Sequence, residues 1–168
     1  MDGITIRSAT ASDAAGMARL LDQLGYPQDP ETFPAVLQTA LQDPGLNIVL
    51  AELGDRCLAL LCFRISLSIR LAGYQISIEE LVVAPEARGK RLGSRLVDKV
   101  KEHARQSGAV LLEVHTSTSR ESFKRQFYIK KGFERAESCV LRWRPQGRFP
   151  DASDRSERNE EPSSPCQA

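Results

Sequence analysis

Residues 80–97, ELVVAPEARGKRLGSRLV, constrain the fold more than any other part of the chain. An apolar run ends at Pro85, which has no N–H to give to a sheet ladder. Arg88, Lys90 and Arg91 then crowd around Gly89 and Gly93. Leu96, Val97 and Val100 follow at the spacing of a buried helical stripe. A strand that passes through a short loop into a helix must bury both elements against one layer. Residues 110–116 offer a further strand after Gly108, so residues 75–116 read as one right-handed strand–helix–strand unit.

The rest of the chain has to fit around that unit. Residues 4–8 are a short strand with Ile4 and Ile6 on one face, and Thr10 with Asp13 resembles a capping box. Met17, Leu20, Leu21 and Leu24 then lie at helical spacing until Gly25-Tyr26-Pro27. A second helix is expected over residues 31–41, with Pro34 tolerated only in its first turn. Residues 47–53 and 56–69 flank Gly54-Asp55 as a hairpin, and residues 74–84 form a third strand of this group. After residues 110–116 come a helix over 119–131 and a closing strand over 137–144. The order β-αα-βββ-α-β-α-β describes a mixed α/β (α+β) domain over residues 1–144.

Composition changes at Pro145. Residues 145–168 hold four of the nine prolines and almost no large apolar side chain, so they cannot offset their ordering entropy and read as a disordered polar tail. The tail carries Arg148, Arg155 and Arg158 against Asp151, Asp154, Glu157, Glu160 and Glu161, which leaves the folded part mildly basic. The whole chain is close to neutral, at +1 over 168 residues, and nothing global points to nucleic acid or to a membrane surface. The longest strongly apolar run, residues 57–63, is far short of a membrane span, and the N-terminus lacks the layout of a secretory signal. Cys57, Cys62, Cys139 and Cys166 form no CxxC pair, and His103 and His115 form no helical pair. A cytoplasmic protein with reduced thiols and no metal is the expectation.

The loop at residues 85–93 is the candidate for chemistry. Free N–H groups and the positive end of the macrodipole meet at a helix start. Gly89 permits close backbone approach, and the three basic residues add charge, a combination suited to a phosphate or pyrophosphate. Neither GxxxxGK[ST] nor GxGxxG is present. On local physics alone, an anion seat and a solvated basic turn stand equal.

The run 80–97 resembles the acetyl-CoA signature of the GNAT N-acetyltransferase superfamily, in which a strand ending V-x-P leads into a loop [RQ]-x-x-G-x-[GA]. Here the loop reads Arg88-Gly89-Lys90-Arg91-Leu92-Gly93, with Arg91 in place of the first pattern glycine. QFYIKKGF, residues 126–133, resembles the FYxxxGF segment of the last helix, with Glu121 and Lys124 where asparagine and alanine are common. The likeness extends over residues 4–143. A finer similarity, in EELVVAPEARG, ARQSGA and the FY segment, is to aminoalkylphosphonate N-acetyltransferases.

The resemblance implies a central, mostly antiparallel twisted sheet flanked by helices, acetyl-CoA as cosubstrate, and transfer of acetyl to a primary amine of a small molecule. A protein amine, or a module that binds acetyl-CoA without catalysis, is the alternative. It implies coenzyme contacts from Leu81, Val82, Val83, Arg88, Gly89, Lys90, Arg91, Leu92, Gly93 and Ser94. It also implies a backbone N–H near Val82–Val83 for the developing oxyanion, and strand-like pairing of the pantetheine amides with that segment. Members are often dimers, which brings a homodimer into view without any feature here fixing it.

The chemistry then needs a base and an acid. At pH 7 an alkyl amine is mostly protonated, and neutralising it costs about 4 kcal/mol. Of Glu79 and Glu80, strict alternation places Ser77, Glu79, Leu81 and Val83 on one face and Ile78, Glu80 and Val82 on the other. The resemblance selects Glu79 as base; a strand bulge would promote Glu80. Tyr128 occupies the general-acid position, where it would protonate the leaving thiolate; as a plain core aromatic it would extend the stripe of Phe123 and Phe127. Arg120, Lys124, Arg125, Lys130 and Lys131 read as a solvated helix face near coenzyme phosphates. Residues 26–46 and 66–75 are expected to line the acceptor side.

Overall fold

The computed structural model describes residues 3–138, 141 and 143. The expected tail over 145–168 lies outside those residues, and so does most of the expected closing strand over 137–144. Residues 3–134 belong to one compact unit, which holds every element below.

The expected order is realised with small changes of boundary. β1 (Ile4–Ser8) is followed by α1 (Ala14–Gln23) and α2 (Phe33–Gln42). Then come β2 (Leu46–Leu53), β3 (Arg56–Ser68), β4 (Gly73–Val83), α3 (Leu92–Gln106) and β5 (Leu111–Val114). Pro34 sits in the first turn of α2, where its missing N–H costs nothing. The Asp13 carboxylate accepts from the Thr10 N–H at 2.7 Å and from its hydroxyl at 2.9 Å, so the entry to α1 is held from behind. The same carboxylate takes the Arg7 guanidinium at 2.8 Å, and Arg7 also reaches Glu52 at 2.6 Å, tying β1 to β2.

The expected helix over 119–131 is instead two short turns, α4 (Glu121–Lys124) and α5 (Phe127–Lys130). Gln126 between them takes a left-handed φ of 55°, which ends one ladder and opens the next. No glycine marks this break, so the pattern of apolar residues reads through it.

The five strands form one sheet in the order β1-β2-β3-β4-β5. The first four are antiparallel; β5 joins β4 in parallel through the α3 crossover. α3 buries Leu92, Leu96, Val97, Val100 and Ala104. It lies on the face of β3 that carries Phe63, whose ring meets His103 with centroids 5.6 Å apart. A Cβ on Gly93 would stand 3.5 Å from Val83 Cγ2 and 3.9 Å from Leu81 Cδ2, so those two residues also face α3. Leu50, Leu60, Leu61, Ile76 and Ile78 are fully buried along the central strands. Among the described residues, no helix is long and apolar enough to cross a membrane.

Candidate active site

The site begins with one extra residue. Phe63 pairs with Ile78, but Cys62 pairs with Glu80, so Glu79 is a bulge on β4. A bulge bends its strand and sharpens the local twist. Pairing of β4 with β5 stops at the same point: it runs from Gln75↔Leu111 to Ile78↔Val114 and no further. Beyond Ile78 the two strands part. Leu81, Val82 and Val83 therefore lie on a stretch of β4 that is paired to β3 on one edge and, among the described residues, open on the other. An open edge presents backbone donors and acceptors to any extended ligand of the right length.

The start of α3 lies just past that edge. A 3-10 turn at Pro85–Ala87 delivers the chain to Arg88, whose Nε approaches the Val83 carbonyl at 3.4 Å. Gly89 has φ +79° and a Cβ there would meet nothing within 4 Å, so this glycine serves backbone conformation and leaves open space. Arg91 is the N-cap with φ 58°, a left-handed position disfavoured for a residue with a Cβ. Arginine thus adopts the conformation that the glycine of the resembled pattern would take at no cost. No side chain caps α3, and its hydrogen bonds begin with Arg95 N–H to the Arg91 carbonyl at 3.0 Å. Among the described residues, no acceptor takes the N–H groups of Arg91, Leu92, Gly93 or Ser94. Arg88, Lys90 and Arg91 are exposed around these donors. Unspent amides, an opening glycine and three exposed cations are what a diphosphate requires.

The bulge also overturns the alternation expected for the two glutamates. Ile78 is opposite Phe63 and so faces α3 together with Leu81 and Val83. Strict alternation cannot put residues 78 and 81 on one face; the extra residue does. Glu80 is opposite Cys62, so the two side chains share a face. Glu79 reaches Arg64 of β3, Nε to Oε1 at 3.5 Å, and Arg64 donates to Asp43 beyond the end of α2 at 2.8 Å. Cys62 and Arg64 alternate with Phe63, so both carboxylates turn to the face away from α3. They do not lie on opposite faces.

Their surroundings differ. Glu79 is partly exposed and ion-paired. Glu80 is more deeply set, and burial raises its pKa above the ordinary carboxylate range; the Glu79 charge adds to the rise and the Cys62 thiol opposes it. The Cys62 thiol is itself pushed well up, by burial first and the Glu80 charge second, so it stays protonated. Sequence reasoning gives Arg64 and Cys62 no role in the site and reaches Asp43 only as part of residues 26–46 on the expected acceptor side. The one signal for them is Arg64, a lone charge inside the apolar run CLALLCFRIS of β3.

Tyr128 is half-buried on α5 with its ring edge-on to Phe127 at 5.0 Å and to Phe133 at 5.7 Å. Burial raises its pKa to about 12, and the Arg120 guanidinium pulls the other way. Phe127 links the parts: its Cζ would stand 3.6 Å from a Cβ on Gly93 at the start of α3. The basic cluster expected on this helix is not one solvated face. Lys131 pairs with Asp98 at 2.5 Å, Lys124 with Glu121 at 3.3 Å, and Arg120 is half-buried with Nη2 3.4 Å from the Leu24 carbonyl. Cys57 and Cys62 are free and buried, and the described residues hold no group of three metal-ligating side chains.

Comparison with known proteins identifies relatives of this chain. Residues 15–133 match the acetyltransferase (GNAT) family. The aminoalkylphosphonate N-acetyltransferase of Salmonella typhimurium is 30% identical over 132 residues, covering 78% of this chain and 85% of that protein. YhfO of Bacillus subtilis, described as an uncharacterized N-acetyltransferase, is 30% identical over 135 residues, covering 78% and 90%. Among solved structures, a transcriptional regulator from Bacillus halodurans C-125 superposes with a TM-score of 0.75 at 23% identity, covering 84% of this chain and 99% of that one. At that identity the likeness concerns the fold alone.

Proposed function

Because the chain belongs to the acetyltransferase (GNAT) family and is an N-acetyltransferase, we propose that it moves the acetyl group of acetyl-CoA to a primary amine of a small molecule by direct attack on the thioester. The observation that carries this reading is the set of unpartnered N–H groups at the front of α3, set beside the open edge of β4. The diphosphate would lie against Gly89 to Ser94 with Arg88, Lys90 and Arg91 around it. The pantetheine would run along residues 81–83 as an added strand, and the N–H near Val82–Val83 would meet the thioester oxygen as it gains charge.

In this arrangement Glu80 is the better base of the two glutamates. A carboxylate whose pKa is raised toward the working pH removes a proton from an ammonium with a smaller deficit than an ordinary one. Glu79, the choice the resemblance implied, is engaged by Arg64 and acts on the proton through its charge on Glu80. The freed amine attacks the carbonyl carbon, the nitrogen gives up its surplus proton to solvent, and the C–S bond breaks with the electron pair leaving on sulfur. Tyr128, protonated at neutral pH, donates to that sulfur. The Salmonella relative's name supports a small-molecule acceptor over a protein amine and puts aminoalkylphosphonates first among amines to assay.

Two measurements test the reading together. Calorimetric titration with coenzyme A and acetyl-CoA should give saturable one-site binding that weakens with added salt. Thiol release from acetyl-CoA should depend on added amine. Protein that binds neither form of the coenzyme removes the basis of the proposal.

A further inference from the structure

We propose that Arg64 is a positioning residue for proton removal: fixed by Asp43 beyond the end of α2, its guanidinium anchors the Glu79 carboxylate beside Glu80. The inference rests on the acetyl-transfer reading above and concerns the glutamate pair of the same site.

The β4 bulge creates the need for such a residue. Neighbouring residues of a strand ordinarily turn to opposite faces, yet Glu79 and Glu80 turn to the same one. Two carboxylates side by side repel, and a bulged residue has no cross-strand partner to hold it. A glutamate left to itself there would gain charge separation and rotamer freedom by swinging into water. Arg64 opposes this. It stands opposite Ser77 and reaches on to the bulge, where its Nε lies 3.5 Å from Glu79 Oε1. Its Nη1 meets Asp43 Oδ2 at 2.8 Å, so separate nitrogens of one planar fork grip two acids.

An isolated ion pair of this exposure would fix little. Here the backbone braces it. The other oxygen of Asp43 accepts the Gly45 N–H at 2.8 Å. The Gly45 carbonyl in turn accepts the Ile65 N–H at 2.7 Å, from the residue that follows Arg64. The turn over residues 43–45 is thus clamped to β3 at the arginine. The fit is close: a Cβ on Gly45 would stand 3.0 Å from the Ile65 carbonyl oxygen and 3.6 Å from Arg64 Nη1. Asp43 is in place independently of Arg64, which lowers the side-chain entropy that an ion pair must overcome. Glu79 therefore meets an arginine whose direction is already set.

Other charges adjoin the glutamate pair. β3 brings the Cys62 thiol together with Arg64. Glu113 of β5 is opposite Ser77 and so shares this face, with His115 Nε2 3.8 Å from its Oε1. α1, packed against β3 and β4, carries the exposed Arg19 and Asp22, and Arg19 Nη2 donates to the Cys57 carbonyl at 2.8 Å. α3 covers the opposite face. Of these groups Arg64 is the one in contact with Glu79.

The test follows the acid limb of kcat/KM in the full chain, with acetyl-CoA and 2-aminoethylphosphonate, for the parent, Arg64→Gln, Glu79→Gln and the double variant. An arginine acting only as a positive charge would move the limb to higher pH by the same amount with or without Glu79. An anchor has a second effect. Without it Glu79 swings away, Glu80 loses its like-charged neighbour, and the limb is drawn back toward lower pH. The shift caused by Arg64→Gln should therefore lie further to the acid side in the parent than in the Glu79→Gln background. Equal shifts, or a parent shift further to the alkaline side, overturn the anchor. Coenzyme affinity should be unaltered, and melting temperatures check folding. Arg64→Met, which keeps the apolar stem, repeats the comparison if Arg64→Gln folds poorly. Absence of thiol release with every amine would sink the transfer reading instead. The anchor is then decided by NMR titration of isotope-labelled glutamate carboxyls in the same proteins, with the Glu80 signal identified by its loss in Glu80→Gln. Equal displacements of that signal's midpoint in the two backgrounds overturn it.

Discussion

Replacing Tyr128 with phenylalanine separates two ways in which a tyrosine could assist a leaving thiolate. A free phenol near pKa 10 and a thiol near 8.5 are close enough for substantial proton transfer. Burial lifts Tyr128 to about 12, which widens the gap to about 3.5 units. Complete transfer from the resting phenol would then be uphill by about 5 kcal/mol, at 1.36 kcal/mol per unit. The phenol should therefore act as a hydrogen-bond donor that strengthens as charge collects on sulfur. Such assistance belongs near the lower end of the acid–base range, so kcat for Tyr128→Phe should fall by about 10²-fold. The ring contacts with Phe127 and Phe133 need no hydroxyl, so folding and coenzyme affinity should be unaltered. A chromogenic thiol assay across pH, with calorimetry for coenzyme A, measures both. Because the phenol stays protonated until about pH 12, Tyr128 should contribute no alkaline limb below about pH 11. A variant as active as the parent refutes the acid role. An alkaline limb near pH 9 that disappears in the variant refutes the description of a buried, weakly acidic phenol.

The glutamates and the loop give further expectations. Glu80 has a raised pKa in the folded chain, so its contribution to stability is fully present below the ordinary carboxylate range and is lost as pH rises through the raised value. Glu80→Gln should thus melt higher than the parent at pH 7, with the difference shrinking toward pH 4, while turnover drops; a variant less stable at neutral pH contradicts the burial argument. Glu79→Gln removes the charge that helps lift Glu80, so the acid limb of kcat/KM should move to lower pH, a shift that a merely structural Glu79 would not produce. Gly89→Ala meets no atom but must hold φ +79°, which should cost about 1 kcal/mol, seen as a small fall in melting temperature together with weaker coenzyme binding. An unchanged melting temperature would mean that the loop relaxes without strain.

Most of the framework was legible because it follows from periodicity and punctuation. The stripe Leu96, Val97, Val100 identified α3, and Gly54-Asp55 identified the β2–β3 turn. Pro34 had a single position it could occupy, and the structure puts it there. The break at Gln126 was not legible, since a non-glycine left-handed residue leaves no compositional mark. The strand over 110–116 shrinks to Leu111–Val114, where its pairing with β4 ends at the approach to the β4 bulge. The place of Arg120 was hidden for a different reason. The sequence groups it with Lys124, Arg125, Lys130 and Lys131, and only the fold sets it against the end of α1.

The bulge itself was written in the sequence, though faintly. In ISIEELVV, Ile76 and Ile78 share one parity and Leu81 and Val83 the other. Both pairs can face α3 only if one residue is inserted between them, and Val82, also apolar, hides the change. The glutamate pair occupies the point where parity switches. Burial of the α3 face therefore demands the irregularity, and the irregularity has two consequences for chemistry. It turns Glu79 and Glu80 together onto the face away from α3, and it carries the following three residues clear of β5. The glutamate pair proposed as base and the strand edge proposed for the coenzyme are thus products of the same packing constraint. This ties the acceptor side to the donor side more tightly than either motif could alone.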